Sequence, residues 1–155
     1  YADVVVSPVE ADAHATAAPG LAPLVMTADC LPVALAGPGG VAMAHGGWRG
    51  LAGGVLKTAA ERVGATAVAV GPGIGPCCYE VGEEVLGAFD ELDGVADGRM
   101  LDLTAVAREL LARAGVDAVE AAALCTSCNP ELLYSHRRDG ERTGRQAGLA
   151  WLEAS

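Results

Sequence analysis

Residues 31–44 read LPVALAGPGGVAMA, two runs of small apolar residues on either side of Gly37-Pro38-Gly39-Gly40. Clusters of glycine and proline mark turns, and short apolar runs on both sides of such a cluster are typical of paired strands. The stretch therefore predicts a β-hairpin with strands over residues 31–36 and 41–44. Cys30 comes just before the first strand, and His45 directly follows the second.

Two helices are predicted from the spacing of apolar residues. From Trp48 to Val63 they recur at i, i+3, i+4 and i+7, which indicates one helix over residues 48–63 that ends at Gly64. Asp102 is a suitable N-cap for a second helix, whose apolar face ends before Gly115.

The remainder of the chain contains further short apolar runs. These predict strands over residues 4–6, 24–26, 66–70, 119–124, 132–135 and 147–152, and a short helix over residues 82–89. This order of elements indicates an α/β fold of the α+β type, with mixed β-sheets covered by helices. A chain of 155 residues is the size of one domain, so we expect residues 1–155 to form a single domain.

Composition narrows the classes of partner. The formal charge of −10 gives an acidic surface that repels nucleic acid phosphates and anionic lipid, so we predict no nucleic acid and no membrane partner. The chain has 5 cysteines, an odd number, and no signal peptide or transmembrane run, which favours a cytoplasmic location. Arg137, Arg138, Arg142 and Arg145 form a local basic cluster suited to a small anion such as phosphate.

Cys30 and His45 are the main candidates for chemistry. A hairpin brings the ends of its two strands together, so the thiolate and the imidazole can meet. They could then act as nucleophile and base, or as two ligands of one zinc ion. The spacing does not decide between these roles.

The residues beside this pair suggest an anion site. Asp29 places a carboxylate next to Cys30, and Gly46 and Gly47 offer unhindered amides where the helix at Trp48 begins. Such amides, with Arg49, suit a phosphate or a developing oxyanion. The alternative is that Arg49 only solvates the first helical turn.

Other cysteines, histidines and glycines give weaker signals. Cys125 and Cys128 have C-x-x-C spacing without a second half-site, and Cys77 and Cys78 would point to opposite sides of an extended segment. We therefore expect no shared ligand role for them. His14 and His136 are lone histidines, and the glycines of residues 71–75 indicate a tight turn rather than a dinucleotide site.

Taken together, the motifs resemble the laccase-domain family, also known as YfiH-like. Its members were once described as multicopper polyphenol oxidoreductases and are now associated with purine nucleoside phosphorylase and adenosine deaminase activities. The matching blocks are TADCLPV at 27–33, AHGGWRG at 44–50, GPGIGP at 71–76, YEVG at 79–82, SHRRDG at 135–140 and TGR at 143–145. They occur in the family's order and span nearly the whole chain.

The resemblance implies a fold like that of YfiH and of the catalytic domain of cytotoxic necrotising factors. It also implies a zinc site in which Cys30 and His45 are two ligands and one position is left for water or substrate. In the family the third ligand is a histidine upstream of the region matching residues 4–6, so we expect an N-terminal portion of the domain to precede Tyr1. His14 is the one nearby histidine that could replace it.

The implied substrates are a purine nucleoside and phosphate. Phosphate would attack C1′ while Arg49 and the amides of Gly46 and Gly47 hold it, and a metal-bound water would serve deamination at C6 of adenosine. Tyr79 and Arg138 are assigned to the pocket from their place in matching motifs, as is Asp29. The preferred nucleoside and the oligomeric state stay open.

Three other functions compete with this one. The first is a metal-independent cysteine hydrolase, similar to the glutamine deamidase of the necrotising factors. The second is a protein that binds nucleosides or anions without catalysis. The third is a copper oxidase, which is disfavoured because a multicopper site needs more than the 3 histidines of this chain, so any copper would be adventitious.

Overall fold

The computed structural model describes residues 11–153, so the predicted strand at residues 4–6 lies outside it. The strands of this range are Ala13–Thr16 (β1), Leu24–Thr27 (β2), Leu31–Gly37 (β3), Gly40–Gly46 (β4), Ala67–Val70 (β5), Ala96–Asp97 (β6), Met100–Leu101 (β7), Val119–Ala121 (β8) and Gln146–Leu149 (β9). The α-helices are Trp48–Ala52 (α1), Val55–Val63 (α2), Glu83–Gly87 (α3), Leu103–Arg113 (α4) and His136–Asp139 (α5). Within residues 11–153 none of these helices has the length and apolar character needed to cross a bilayer.

The predicted hairpin is confirmed. Strands β3 and β4 pair antiparallel from Leu31 opposite Gly46 to Gly37 opposite Gly40. Gly40 has a φ of +121°, a conformation that side chains disfavour, and a Cβ on Gly37 would overlap the carbonyl of Gly64. Gly37 therefore lets the turn lie directly against the end of α2, and Gly40 supplies the conformation that the turn requires.

The hairpin is the centre of a five-stranded sheet in the order β1-β4-β3-β5-β8. Its neighbours are antiparallel except β5 and β8, which are parallel. Helices α2 and α4 place their apolar residues in the same core as the buried residues of β3, β4 and β5. The mixed α/β fold class is therefore confirmed. The small residues of α2 in this core, Ala59 and Ala60, permit a close approach of helix and sheet.

The prediction of one continuous helix over residues 48–63 is wrong. Gly53 and Gly54 separate α1 from α2, and Gly54 adopts a left-handed conformation with a φ of 82°. The apolar spacing continues across the break, so periodicity alone does not detect it. The predicted helix end at Gly64 and the Asp102 N-cap of α4 are both confirmed, the latter by hydrogen bonds from the amides of Thr104 and Ala105.

A second, two-stranded sheet is formed by β2 and β9, which pair antiparallel. A Cβ on Gly148 would stand 2.6 Å from Met43 Cε and 2.8 Å from Pro32 Cβ, so β9 lies directly against the central hairpin. The predicted strand at residues 132–135 is wrong. Tyr134 exchanges hydrogen bonds with the side chain of Gln146 instead of a neighbouring backbone, and Ser135 caps α5.

Candidate active site

Cys30 and His45 converge at the open end of the central hairpin. Both are half-buried, Cys30 just before β3 and His45 on β4 opposite Pro32. A Cβ built on Gly47, the N-cap of α1, would lie 3.1 Å from Cys30 Sγ and 3.2 Å from His45 Cε1. The thiol and the imidazole thus lie together over a residue that has no side chain to separate them.

Asp12 orients the imidazole, a contact that the sequence does not reveal. Its carbonyl oxygen accepts a hydrogen bond of 2.7 Å from the His45 amide, and its carboxylate Oδ1 lies 3.5 Å from His45 Nδ1. A carboxylate beside one ring nitrogen favours the tautomer that leaves the other nitrogen free for a metal or a proton. His45 Nε2 is therefore the atom available for chemistry.

Asp29 is buried and connects three parts of the chain. Its carboxylate accepts hydrogen bonds of 2.6 Å from Thr126 Oγ1 and 2.6 Å from the Arg137 amide, and its carbonyl accepts one from the Ile74 amide. Its φ of 93° is unusual for a residue with a side chain. These contacts give Asp29 a positioning role next to Cys30. Contact with substrate stays a prediction.

The Arg138 guanidinium is bound within the protein. It forms two hydrogen bonds with the Asp139 carboxylate and donates to the carbonyls of Thr126, Ser127 and Leu133. Because these hydrogen bonds use the N–H groups of the guanidinium, none of them is left to bind a phosphate. The substrate role of Arg138 stays a prediction that these contacts do not support.

Three other arginines present positive charge to the site. Arg49 stacks on Trp48 with 4.3 Å between its Cζ and the ring centroid, and Arg137 lies 5.2 Å from the Tyr79 centroid. The charge of Arg145 acts on Cys30, and those of Arg137 and Arg49 act on Tyr79. The basic C-terminal cluster predicted from the sequence thus contributes Arg137 and Arg145 to this region.

The surroundings of Cys30 disfavour the deprotonated form of its thiol. Burial raises the pKa of the Cys30 thiol, the carboxylates of Asp29 and Asp12 raise it further, and Arg145 partly counteracts them. Burial also raises the pKa of Tyr79, helped by Cys30 and opposed mainly by Arg137. Both groups are accordingly neutral near pH 7 unless a cation binds beside them.

The predicted amide site at the helix N-terminus is weaker than the sequence suggests. Gly46 is the last residue of β4, opposite Leu31, and α1 has 5 residues before the break at Gly53. A short helix aligns few peptide dipoles, so its attraction for an anion is small. The phosphate-binding role of Gly46 and Gly47 stays a prediction.

Four cysteines gather beside the site, contrary to the sequence-based expectation. Cys77 and Cys78 lie in a turn rather than an extended segment, and both approach Cys128 Sγ, at 3.6 Å and 3.4 Å. The ligand atoms of Cys77, Cys78, Cys125 and Cys128 all lie within 4.8 Å of one another. Burial of Cys125 opposes its ionisation, but the amides of Gly75 and Cys128 and the nearby thiols lower its pKa to about 7.

The central hairpin lies in a mixed sheet packed on helices and brings a thiol and an imidazole together at its open end, which defines an α/β protein with a candidate site at the strand ends. The chain belongs to the family described as multi-copper polyphenol oxidoreductase laccase, whose sequence profile matches residues 2–153.

Named relatives and solved structures agree with this membership. The chain is 43% identical to the purine nucleoside phosphorylase of Xylella fastidiosa over 92% of its length, and 40% identical to the purine nucleoside phosphorylase YfiH of Escherichia coli over 92%. It spans 61% and 64% of those two proteins. The structure of Neisseria meningitidis NMB0706 superposes with a TM-score of 0.85 at 39% identity, covering 94% of this chain and 66% of that one.

The metal that the family implies can be compared with the donors present. Cys30 and His45 offer a thiol and an imidazole, the donor types that zinc prefers, and both side chains approach the position of a Cβ on Gly47. Across residues 11–153, the group of three or more His, Cys, Asp or Glu that could hold an ion is the cysteine cluster, so His14 does not complete a set with Cys30 and His45. His14 pairs with Met43, and it is Asp12 that stands beside His45.

Proposed function

We propose that this chain takes part in phosphorolysis of purine nucleosides of the adenosine, inosine and methylthioadenosine class, with deamination of adenosine as a second reaction at the same site. The convergence of Cys30 and His45 beside arginine side chains carries the proposal. The names of relatives that are 40% and 43% identical supply the reaction class.

In this proposal Cys30 and His45 would hold a zinc ion. Bound zinc would keep Cys30 as a thiolate and act as a Lewis acid toward a bound oxygen. Asp12 fixes the His45 ring, and Asp29 fixes the backbone on which Cys30 stands.

Arginine side chains supply the phosphate site. The charge of Arg145 acts on Cys30, and those of Arg137 and Arg49 act on Tyr79, so these three side chains are the proposed ligands of the phosphate dianion. They would orient one phosphate oxygen toward C1′ of the nucleoside. As the C1′–O bond forms, the glycosidic C–N bond breaks and its electron pair leaves with the purine, which takes up a proton.

A product assay tests the reaction class. The chain, supplied with zinc, is incubated with inosine or adenosine in the presence and absence of phosphate, and the sugar product is separated. We expect ribose 1-phosphate and free base in amounts that depend on phosphate. Nucleoside binding without turnover would contradict phosphorolysis and support the non-catalytic alternative.

A chelator separates this proposal from the metal-independent cysteine hydrolase. The raised pKa of Cys30 leaves little thiolate near pH 7 without a cation, so we expect a strong chelator to abolish activity and added zinc to restore it. Activity that survives chelation and is lost on thiol alkylation would favour the hydrolase.

Substitution of Arg145 by Ala is expected to raise the KM for phosphate about 10- to 100-fold. This range corresponds to the binding free energy lost with one hydrogen bond to a charged group. Initial rates over a phosphate series measure it. Arg62→Ala is the matched control, because Arg62 lies in the last turn of α2, at the opposite end of the hairpin. An unchanged KM in Arg145→Ala would remove this residue from the phosphate site.

Replacement of Gly47 by Ala should lower kcat/KM about 3- to 10-fold with little loss of stability. The new methyl group would stand 3.1 Å from Cys30 Sγ and 3.2 Å from His45 Cε1, so both side chains would have to shift by a few tenths of an ångström. A displacement of about 1 Å at a reacting centre costs about 100-fold, and this smaller one costs correspondingly less.

The matched control is Gly82→Ala. Gly82 is also a helix N-cap in extended conformation, with φ −86° and ψ 170° against −78° and 158° at Gly47, but its Cβ would meet nothing within 4 Å. Activity is followed with both variants, and thermal unfolding checks the fold. Equal activity of the two variants would show that the space at Gly47 is not needed.

A further inference from the structure

The sulfur atoms of Cys77, Cys78, Cys125 and Cys128 form a compact group separate from Cys30 and His45. Two come from the turn that follows Gly75, and two from the segment after β8. The contacts between Cys128 Sγ and the sulfurs of Cys77 and Cys78 measure 3.6 Å and 3.4 Å.

These S···S distances are close to those between the sulfur ligands of a zinc ion bound by four thiolates. A tetrahedron with Zn–S bonds of about 2.3 Å has S···S edges of about 3.8 Å, whereas a disulfide requires about 2.05 Å. The observed contacts lie near the tetrahedral edge and within a limit of 4.8 Å for all four sulfurs. We propose that Cys77, Cys78, Cys125 and Cys128 bind one zinc ion as a structural site.

Backbone groups around the cluster suit bound thiolates. The Gly75 amide donates a hydrogen bond of 3.2 Å to Cys125 Sγ. A Cβ on Gly75 would lie 3.2 Å from Cys125 Cβ and 3.4 Å from Cys77 Sγ, so glycine lets this amide come close. Amide donors of this kind stabilise thiolate charge in metal sites.

The donor set selects the class of metal. Four thiolates are soft ligands that favour zinc over magnesium or calcium, and four protein ligands complete a tetrahedral shell without an open position for substrate. Four thiolates and Zn²⁺ carry a net charge of −2, and Arg137, whose guanidinium bonds to the Cys78 carbonyl, brings a positive charge alongside. The site is therefore structural rather than catalytic.

The ion would join two loops that shape the neighbouring site. Gly73 and Cys125 already form a parallel bridge, with a hydrogen bond from the Thr126 amide to the Gly73 carbonyl. Tyr79 directly follows Cys78, and Thr126, the partner of Asp29, directly follows Cys125. Zinc bound to Cys78 and Cys125 would fix the positions of the neighbouring residues Tyr79 and Thr126 relative to each other.

The test uses a background in which the other candidate metal site is removed. The chain carrying Cys30→Ala and His45→Ala is purified under reducing conditions, dialysed with zinc, and measured for metal content and by zinc X-ray absorption. We expect one zinc per chain with four sulfur neighbours at about 2.3 Å. Addition of Cys77→Ser and Cys128→Ser to this background should remove the ion and lower the melting temperature.

A cobalt titration of the unaltered chain keeps the proposal testable if the background variant does not fold. The first equivalent of Co²⁺ should give the strong visible absorption and thiolate charge-transfer band of a tetrathiolate site, and zinc should displace it. A shell of mixed nitrogen and sulfur, absence of bound metal, or a disulfide between Cys128 and Cys78 under reducing conditions would overturn it. None of these results depends on whether the chain catalyses phosphorolysis.

Discussion

Alanine at Cys30 or His45 is expected to lower kcat/KM for phosphorolysis by about a thousandfold. Each substitution removes one of the two proposed metal ligands, whose side chains converge over Gly47. A Lewis-acidic metal contributes several kcal/mol to a reaction barrier, and about 4 kcal/mol corresponds to a thousandfold in rate. Steady-state rates with inosine and phosphate, together with the zinc content of each variant, measure the effect.

His14→Ala is the control for this pair of variants. His14 is also a half-buried histidine of the same sheet, opposite Met43 in β1, but it does not join Cys30 and His45 in a ligand group. Its activity should stay within about twofold of the unaltered chain, the small effect expected away from a site's key contacts. Full activity in both Cys30→Ala and His45→Ala would end the proposed function.

Asp29→Ala is expected to lower the free energy of unfolding by about 3–5 kcal/mol, because each buried donor left without its acceptor costs about 1–3 kcal/mol. The change leaves Thr126 Oγ1 and the Arg137 amide without their acceptor and keeps a Cβ at a φ of 93°. Urea denaturation followed by circular dichroism gives the value.

Two further variants identify the cause of this loss. Asp102→Ala also removes a carboxylate that accepts two hydrogen bonds, but at a less buried helix N-cap, where the loss is about 1 kcal/mol. Asp29→Gly should be less harmful than Asp29→Ala by about 1 kcal/mol, because glycine tolerates positive φ. Equal losses in Asp29→Ala and Asp102→Ala would show that burial of Asp29 adds nothing.

The parts of the fold that the sequence predicts depend on local patterns. The hairpin, the α4 cap at Asp102 and the end of α2 at Gly64 each follow from residues a few positions apart. The break at Gly53 and Gly54 was missed because glycine is tolerated within a periodic helical pattern, and only the backbone conformation distinguishes a break from an insertion.

The site was predicted less completely because its supports are distant in sequence. Cys30 and His45 could be paired because one hairpin joins them. Asp29 meets Thr126 across 97 positions and the Arg137 amide across 108, and no periodicity connects such residues. The cysteine cluster was missed for the same reason, and because Cys77 and Cys78 occupy a turn that directs both sulfurs toward Cys128.

The pairing of β2 with β9 ties the site to the last part of the chain. Thr27, at the end of β2, stands opposite Gln146. Cys30 follows shortly after Thr27, and Arg145 directly precedes Gln146. A slip of one residue in this ribbon would turn every side chain of β9 to its other face. Proteolytic removal of the chain from Arg145 onward would take this cation away from Cys30, whereas the strands of the central sheet all precede residue 122 and would keep their pairing.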